Sequence, residues 1–372
     1  MSVSSQFLER WRRTRRPIKR ALVLAGGGVV GGMYEVGALA ALEEEVPGFR
    51  ANQFDLYIGS SAGSVVASLM ANGVHPRALY QILDEGHDDP LNFQRGAIYH
   101  RGASAAAALN FAQLVWAVGR QLVTNFRLDW PDILARSQDG MPAGFYSVAK
   151  LEEYVRVAFA AKGLANDFRT CPRPLMIPAL DLDRGERVVF GVGGLDEVPI
   201  SEAIAASSAI PGFFEPFTIG GHDYVDGDVG HTGHADLAVD AGAEVIVVVN
   251  PLVPMRGGET SSLRRQGLYG ILEQVGRINS QSLLELGLRE LALRRPQVSW
   301  HLIQPPPDNT ELFGPSMGFE ASRAALRFGY AATKAWLTGQ GGKLRDSFGG
   351  APAPWQGVLG ALRRLRTIGS AD

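Results

Sequence analysis

Residues 57–69 read YIGSSAGSVVASL, and within them Gly59-Ser60-Ser61-Ala62-Gly63 sets a serine between two glycines. An apolar run precedes the pentapeptide and a helix-like run follows it. A G-x-S-x-G corner suits nucleophilic chemistry. The turn is tight, so bulky Cβ groups are excluded, and the middle hydroxyl is lifted clear of the sheet. Ser61 then stands at a helix N-terminus, where unpaired N–H groups and the helix dipole favour developing negative charge. A plainer role fits the same residues, with Ser60 or Ser61 capping the helix.

A nucleophile needs an oxyanion site and a base. LAGGGVVGG, residues 24–32, offers the first, because Gly26, Gly27 and Gly28 can aim backbone N–H groups at one point with no side chain in the way. Gly26 to Gly31 also satisfies G-x-G-x-x-G, the dinucleotide fingerprint. That reading wants an acidic residue at the end of the second strand, whereas Asp55 stands near its start. For the base, DYVDGDVG places Asp226 before Gly227, after a strand-like run. Asp226 can serve Ser61 directly. It can also be an ordinary Asp-Gly turn carboxylate, or join Asp228, His231 and His234 in a metal site that two glycines interrupt. A Ser-Asp-His triad could draw on His231, His234 or His301. Ser61 lies only two strands into the chain, directly after the glycine loop, and this compact order suits a dyad better.

The elements that must position these groups alternate. ALVLAGGG and FDLYIG read as short buried strands, each followed through glycines by a helix, MYEVGALAALEEE and SVVASLMANG. Strand–glycine–helix units in succession imply parallel strands covered by helices. Further strands are expected at RPLMIPALDLD, ERVVFG, AEVIVVVN and VSWHLIQP, with a hairpin at FTIGGHDYVDGDVG. Helices are expected at SVAKLEEYVRVAFAAKG, at ISEAIAASSAIPGFFEPF until Pro211 and Gly212 stop it, along 262–295, and at ASRAALRFGYAATKAWL.

The 372 residues carry a net charge of −2 and are 46% hydrophobic, a globular composition without the basic excess of a nucleic-acid binder. Cys171 is the only cysteine, so an internal disulfide or thiolate metal cluster is excluded. The apolar run Ala21–Leu42 contains Glu35 and six glycines, which fits a strand, loop and helix rather than a signal peptide or membrane span. A cytoplasmic protein is expected.

Four stretches in this order, LAGGGVVGG, GSSAGS, ASSAIPGFFEPF and VDGD, resemble the patatin-like phospholipase family. The likeness runs from about Ala21 to Asp228, with AEVIVVVN also in register. It implies an α/β fold of three α/β/α layers with a mostly parallel sheet. It also implies a Ser-Asp dyad without histidine, no metal or organic cofactor, and hydrolysis of ester bonds in phospholipids and other acyl lipids. Carried over, Ser61 is the nucleophile and Asp226 the base. The backbone of Gly26, Gly27 and Gly28 forms the oxyanion hole, and Gly59, Gly63 and Gly227 complete the motifs. Two positions depart from the pattern. Val30 stands where a Lys or Arg is usual, and Asp228 follows Asp-Gly where Gly or Ala is usual. These departures leave open a non-catalytic lipid-binding or regulatory protein on the same scaffold.

Residues 1–19 form a basic segment with Phe7, Leu8 and Trp11 as apolar anchors. WQGVLGALRRLR near the C-terminus is a second basic amphipathic stretch. Both suit peripheral contact with an anionic membrane or a solvated, unbound state. The uncharged run Ala103–Gly119 suits an acyl pocket, a lid or a buried helix. The expected organisation is a hydrolase domain over 20–340, with a helical insertion at about 90–145, then a Gly/Pro linker and basic helix over 341–372.

Overall fold

In a computed structural model of the protein the described residues are 19–92, 143–144, 146–231, 233–256, 267–307, 312 and 322–349. Residues 1–18 of the basic N-terminal segment, nearly all of the expected helical insertion at about 90–145 with its run Ala103–Gly119, and the C-terminal WQGVLGALRRLR lie outside them.

Strand β1 (Arg20–Leu24) shows why the chain builds three layers. Along it Leu22 and Leu24 join one buried cluster, and Ala21 and Val23 join another on the opposite face. β7 (Val245–Val249) divides the same way, with Val247 and Val249 against Ile246 and Val248. Apolar side chains on both faces of a strand require cover on both. Helices α1 (Gly28–Glu45), α2 (Ala62–Ala71), α3 (Pro76–Glu85), α4 (Ala149–Lys162), α5 (Ile200–Ser207) and α8 (Ser322–Gln340) contribute to the first cluster. α6 (Ala235–Asp240) and α7 (Gly267–Arg294) contribute to the second.

The sheet runs β5-β6-β3-β2-β1-β7-β8, with β4 paired to β3. β2 spans Leu56–Gly59, β3 Leu175–Asp181, β4 Glu186–Phe190, β5 Phe217–Ile219, β6 His222–Asp226 and β8 Ser299–Ile303. The β3–β2–β1–β7–β8 pairings are parallel, while β6 and β4 join β3 antiparallel and β5 joins β6 antiparallel. The mostly parallel α/β sheet with helices on both faces therefore has an antiparallel edge. The register that pairs Leu24 with Gly59 brings the glycine loop and the serine corner out of neighbouring strands at the same end. In open α/β sheets that end is where ligands bind.

Two local expectations change. α1 begins at Gly28, five residues before MYEVG, because Gly26, Gly27 and Gly28 all take positive φ and turn the chain straight into the helix. The stretch after 340 does not begin as a loose linker. Gly342–Phe348 forms α9, whose Leu344 and Phe348 are buried, with the Phe348 ring 4.9 Å from Phe49 and 5.7 Å from Phe54. α1 is clamped by α8 at a glycine crossing, since a Cβ on Gly37 or Gly329 would strike the other helix's backbone.

Candidate active site

The serine corner is a strained turn. Ser61 has φ 49° and ψ −132°, a conformation that non-glycine residues rarely take and that costs on the order of 1–3 kcal/mol. Glycines make the turn possible. A Cβ on Gly63 would lie 2.5 Å from the Leu24 carbonyl and 2.8 Å from the Gly26 amide, and one on Gly59 would lie 2.6 Å from Ala67 Cβ. Ser61 is the N-cap residue of α2, yet its side chain makes no capping hydrogen bond. The plain capping role is therefore not what this serine performs. Its own amide donates to Ser207 Oγ (3.0 Å), and Ser207 in turn donates to the Pro178 carbonyl (2.7 Å). Ser207 thus ties the corner to β3. Sequence reasoning gave it no role, although it lies inside the ASSAIPGFF stretch.

The three loop glycines are not equivalent. The Gly26 amide donates to Glu35 Oε1 (3.0 Å), so it cannot also serve an oxyanion. This corrects the expectation that all three amides are available. Gly27 and Gly28 enter α1 as its N-cap and first residue, and among the described residues their amides have no acceptor. Gly26 keeps a structural duty, because a Cβ there would sit 2.7 Å from the Ser60 carbonyl and 2.8 Å from Ser61 Cβ. The loop is pressed flat against the serine corner.

Asp226 ends β6, and its buried carboxyl meets the Ser61 hydroxyl. The structure thus brings together two residues 165 positions apart in the chain. Asp226 Oδ1 also accepts the Asp228 amide (2.9 Å), and the Asp226 amide is held by the Ala209 carbonyl (3.0 Å). Burial pushes the carboxyl up to about 6, with the Ser61 and Asp228 hydrogen bonds opposing. Gly227 is required where it stands, since a Cβ would strike the Pro178 carbonyl.

Two further carboxyls lie close by. Asp228 Oδ1 accepts from Ser60 Oγ (2.6 Å), while its Oδ2 is buried without a partner and would lie 2.7 Å from a Cβ on Gly26. Glu35 is fully buried, and its Oε2 likewise has no partner. Burial drives both well above the usual carboxylate range, with the charge on Asp226 adding to the effect at Asp228 and Asp228 adding to it at Glu35. Val30, the other departure, is buried in the first core cluster.

The histidines serve other ends. His234 is buried with φ 40°, its Nε2 3.2 Å from the Gly227 carbonyl and its Nδ1 3.3 Å from Arg187 Nη1. A carbonyl only accepts and a guanidinium only donates, so Nε2 carries the proton and Nδ1 accepts. Burial, with Arg187 beside it, holds the ring neutral down to about 3. It braces the Asp226–Gly227 turn from behind. His231 stacks on it at 5.9 Å, and His301 meets Ser347 Oγ at 2.9 Å. Among the described residues no histidine bonds to Ser61 or Asp226. Asp226, Asp228, His231 and His234 do not converge as metal ligands either. Asp55, the dinucleotide candidate, instead accepts the amides of Lys19 and Arg20.

An apolar pocket opens at Ser61. Its wall is almost wholly apolar: Val29, Met33 and Val36 from α1, Val65, Val66 and Leu69 from α2, Leu79 and Leu83 from α3, with Leu151, Ile210 and Phe214. Gly28 and Ala62 line the end that holds the serine. No helix among the described residues is long and apolar enough to cross a membrane.

Comparison with known proteins places these features in a family. The chain is 28% identical over 218 residues to the uncharacterized protein YqhO of Bacillus subtilis, a match spanning 56% of this chain and 62% of that one. Among solved structures it is similar to VipD from Legionella pneumophila (13% identity, TM-score 0.36, 90% of this chain and 67% of that). It is also similar to the human GIVD cytosolic phospholipase A2 (12%, TM-score 0.35, 92% and 62%). The chain thus spans under two thirds of the length of its curated relative. The model of the patatin-like phospholipase family matches residues 22–238, which hold the glycine loop, the serine corner and the Asp226 turn, and the chain belongs to that family.

Proposed function

We propose that the protein is a lipid acyl hydrolase of phospholipase A or lysophospholipase type that works through a Ser61–Asp226 dyad. One observation carries the reading: the Ser61 hydroxyl sits in a strained corner against a buried carboxyl, at the mouth of an apolar cavity. The acyl chain lies among the apolar side chains of α1, α2 and α3, where each buried methylene contributes about 0.8 kcal/mol. Asp226 takes the Ser61 proton as Oγ attacks the ester carbonyl. The tetrahedral oxyanion is met by the free amides at the start of α1, Gly27 and Gly28, which point with the helix dipole. Collapse expels the alcohol, which receives the proton from Asp226. Water, deprotonated by the same carboxylate, then attacks acyl-Ser61; the acyl–Oγ bond breaks, Oγ takes the proton back from Asp226, and the fatty acid leaves.

The rival reading is a lipid-binding protein without turnover. A fluorophosphonate ester and a panel of phospholipid, lysophospholipid and acylglycerol substrates separate the two. The wild type is expected to be labelled at Ser61 and to hydrolyse at least one lipid class. Ser61→Ala is expected to lose both properties, and Asp226→Asn to lose roughly 10²–10⁴ in kcat. A wild type that resists labelling and cleaves no ester overturns the proposal, as does a Ser61→Ala variant that still turns over.

A further inference from the structure

The strand that carries Asp226 at one end holds a different constellation at the other. His222 begins β6, four residues from Asp226 and so about 13 Å away along the strand. Beside it Asp181 ends β3, with its residue 1% exposed. Asp181 Oδ1 accepts the amides of Asp183 (3.0 Å) and Arg184 (2.9 Å), which fixes the rotation of the carboxylate. Its other oxygen, Oδ2, is buried without a hydrogen-bond partner and lies 3.4 Å from His222 Nδ1, a nitrogen that also lacks one. Asp183 Oδ2 stands 3.8 Å from the same nitrogen and is itself oriented by the Asp223 amide (2.9 Å). One ligand atom from each of the three residues falls within 4.8 Å of the other two.

We propose that Asp181 Oδ2, Asp183 Oδ2 and His222 Nδ1 form a binding site for a divalent transition-metal ion of the zinc type.

The spacing supports it. Ligands about 2.1 Å from a tetrahedral ion stand roughly 3.4 Å apart; the two edges to His222 are 3.4 and 3.8 Å, and the edge between the carboxylates, within 4.8 Å, closes as the ion enters. An imidazole with two carboxylates suits zinc or manganese better than calcium or magnesium, which favour all-oxygen shells. Three protein ligands leave the fourth position to water. His222 and Asp183 are 34% and 53% exposed at their side chains, which gives an ion its way in. The backbone amides on Asp181 Oδ1 and Asp183 Oδ2 supply the outer hydrogen bonds that orient metal-binding carboxylates. The competing cation is Arg184, with Nη1 3.8 Å from Asp181 Oδ2 and Nη2 3.5 Å from His222 Nε2. Its side chain is 53% exposed and can swing into solvent as the ion enters. Bound there, the ion pins the β3–β4 turn to the β5–β6 hairpin and anchors β6 far from the ester chemistry.

The test uses the tag-free full chain, stripped with EDTA and titrated with zinc chloride by calorimetry and by thermal unfolding. One zinc per chain is expected, with a rise of a few degrees in Tm when zinc is in large excess over Kd. His222→Ala and Asp183→Asn are expected to weaken binding tenfold or more and to remove the Tm shift. His231→Ala, at the other histidine pair, is expected to leave both intact. Absence of saturable zinc binding overturns the proposal. So does zinc binding that survives His222→Ala and Asp183→Asn or that depends on His231. None of these readouts involves ester hydrolysis, so the outcome is independent of the dyad.

Discussion

Replacing Asp228 by asparagine tests how three buried carboxyls share one charge. Asp226 accepts the Asp228 amide and has the Ser61 hydroxyl beside it, whereas Asp228 Oδ2 and Glu35 Oε2 are enclosed without a donor. An ionised carboxylate with an orphaned buried oxygen is costly. Asp226 therefore ionises first, at about 6, and its charge keeps the proton on Asp228, which in turn stands over Glu35. The expectation under test is that Asp226 carries the charge of the three. Asparagine then exchanges one neutral group for another of the same shape, and its carbonyl still accepts from Ser60. The base form is the charged one, so kcat/KM is present above pH 6 and is lost as pH falls through it. In Asp228→Asn that acidic limb is expected to stay within about half a unit of the wild type. The alternative has a different size. Two unit charges within a few ångströms of each other in an effective dielectric near 20 repel by a few kcal/mol, on the order of two pKa units. If Asp228 were ionised beside Asp226, removing its charge would bring the limb down to about pH 4. The assay is kcat/KM for a soluble activated ester from about pH 4 to 9, which reports groups of the free enzyme. A limb that drops by more than one unit in Asp228→Asn refutes the shared-charge account.

Other perturbations follow from the same geometry. Asp226→Asn is expected to stabilise the fold by about 3 kcal/mol above pH 6, since lifting a carboxyl from 3.8 to about 6 costs the folded state that much once it is ionised. The gain is absent at the lowest pH, grows through the window between those values, and is checked by denaturant unfolding at both extremes. Gly26→Ala forces a Cβ at φ +72° to within 2.7 Å of Asp228 Oδ2 and the Ser60 carbonyl. A loss of about 3 kcal/mol in stability and about 100-fold in kcat is expected, read by unfolding and turnover. Val65→Phe narrows the apolar cavity. It is expected to lower kcat/KM for long-chain esters about fourfold per excluded methylene while sparing short-chain ones, as an ester series will show. His234→Gln, which can still donate to the Gly227 carbonyl, is expected to retain turnover, whereas a histidine base would lose it.

The sequence made some of this arrangement legible, and the reason is steric. Gly59, Gly63 and Gly227 stand where a Cβ would strike backbone from another segment, and a residue type with one physical excuse is easily read. The parallel core was legible because β7 is apolar at every position and β1 from Ala21 to Leu24, so that both demand cover on both faces. What stayed hidden depends on partners far along the chain. Glu35 reaches back nine residues to the Gly26 amide, and nothing in the spacing of a helical glutamate announces that its target is a loop amide. The Ser60–Asp228 bond spans 168 residues, and Ser207 joins the serine corner to β3 across 146 and 29. The stretch after 340 has the glycines of a linker, yet Leu344 and Phe348 find a pocket around Phe49 and Phe54 that local composition cannot reveal. The same contrast bears on the two departures from the family pattern. Read along the chain, Asp228 looks like one negative charge too many beside the base. In three dimensions it is a buried acid whose proton Asp226 helps to hold. Its hydrogen bond with Ser60 couples the serine corner to the Asp226 turn, and Glu35 fixes the glycine loop through the Gly26 amide. Three segments of the candidate site that leave three different strands are thereby held in one geometry by two carboxyls that burial drives well above the usual carboxylate range.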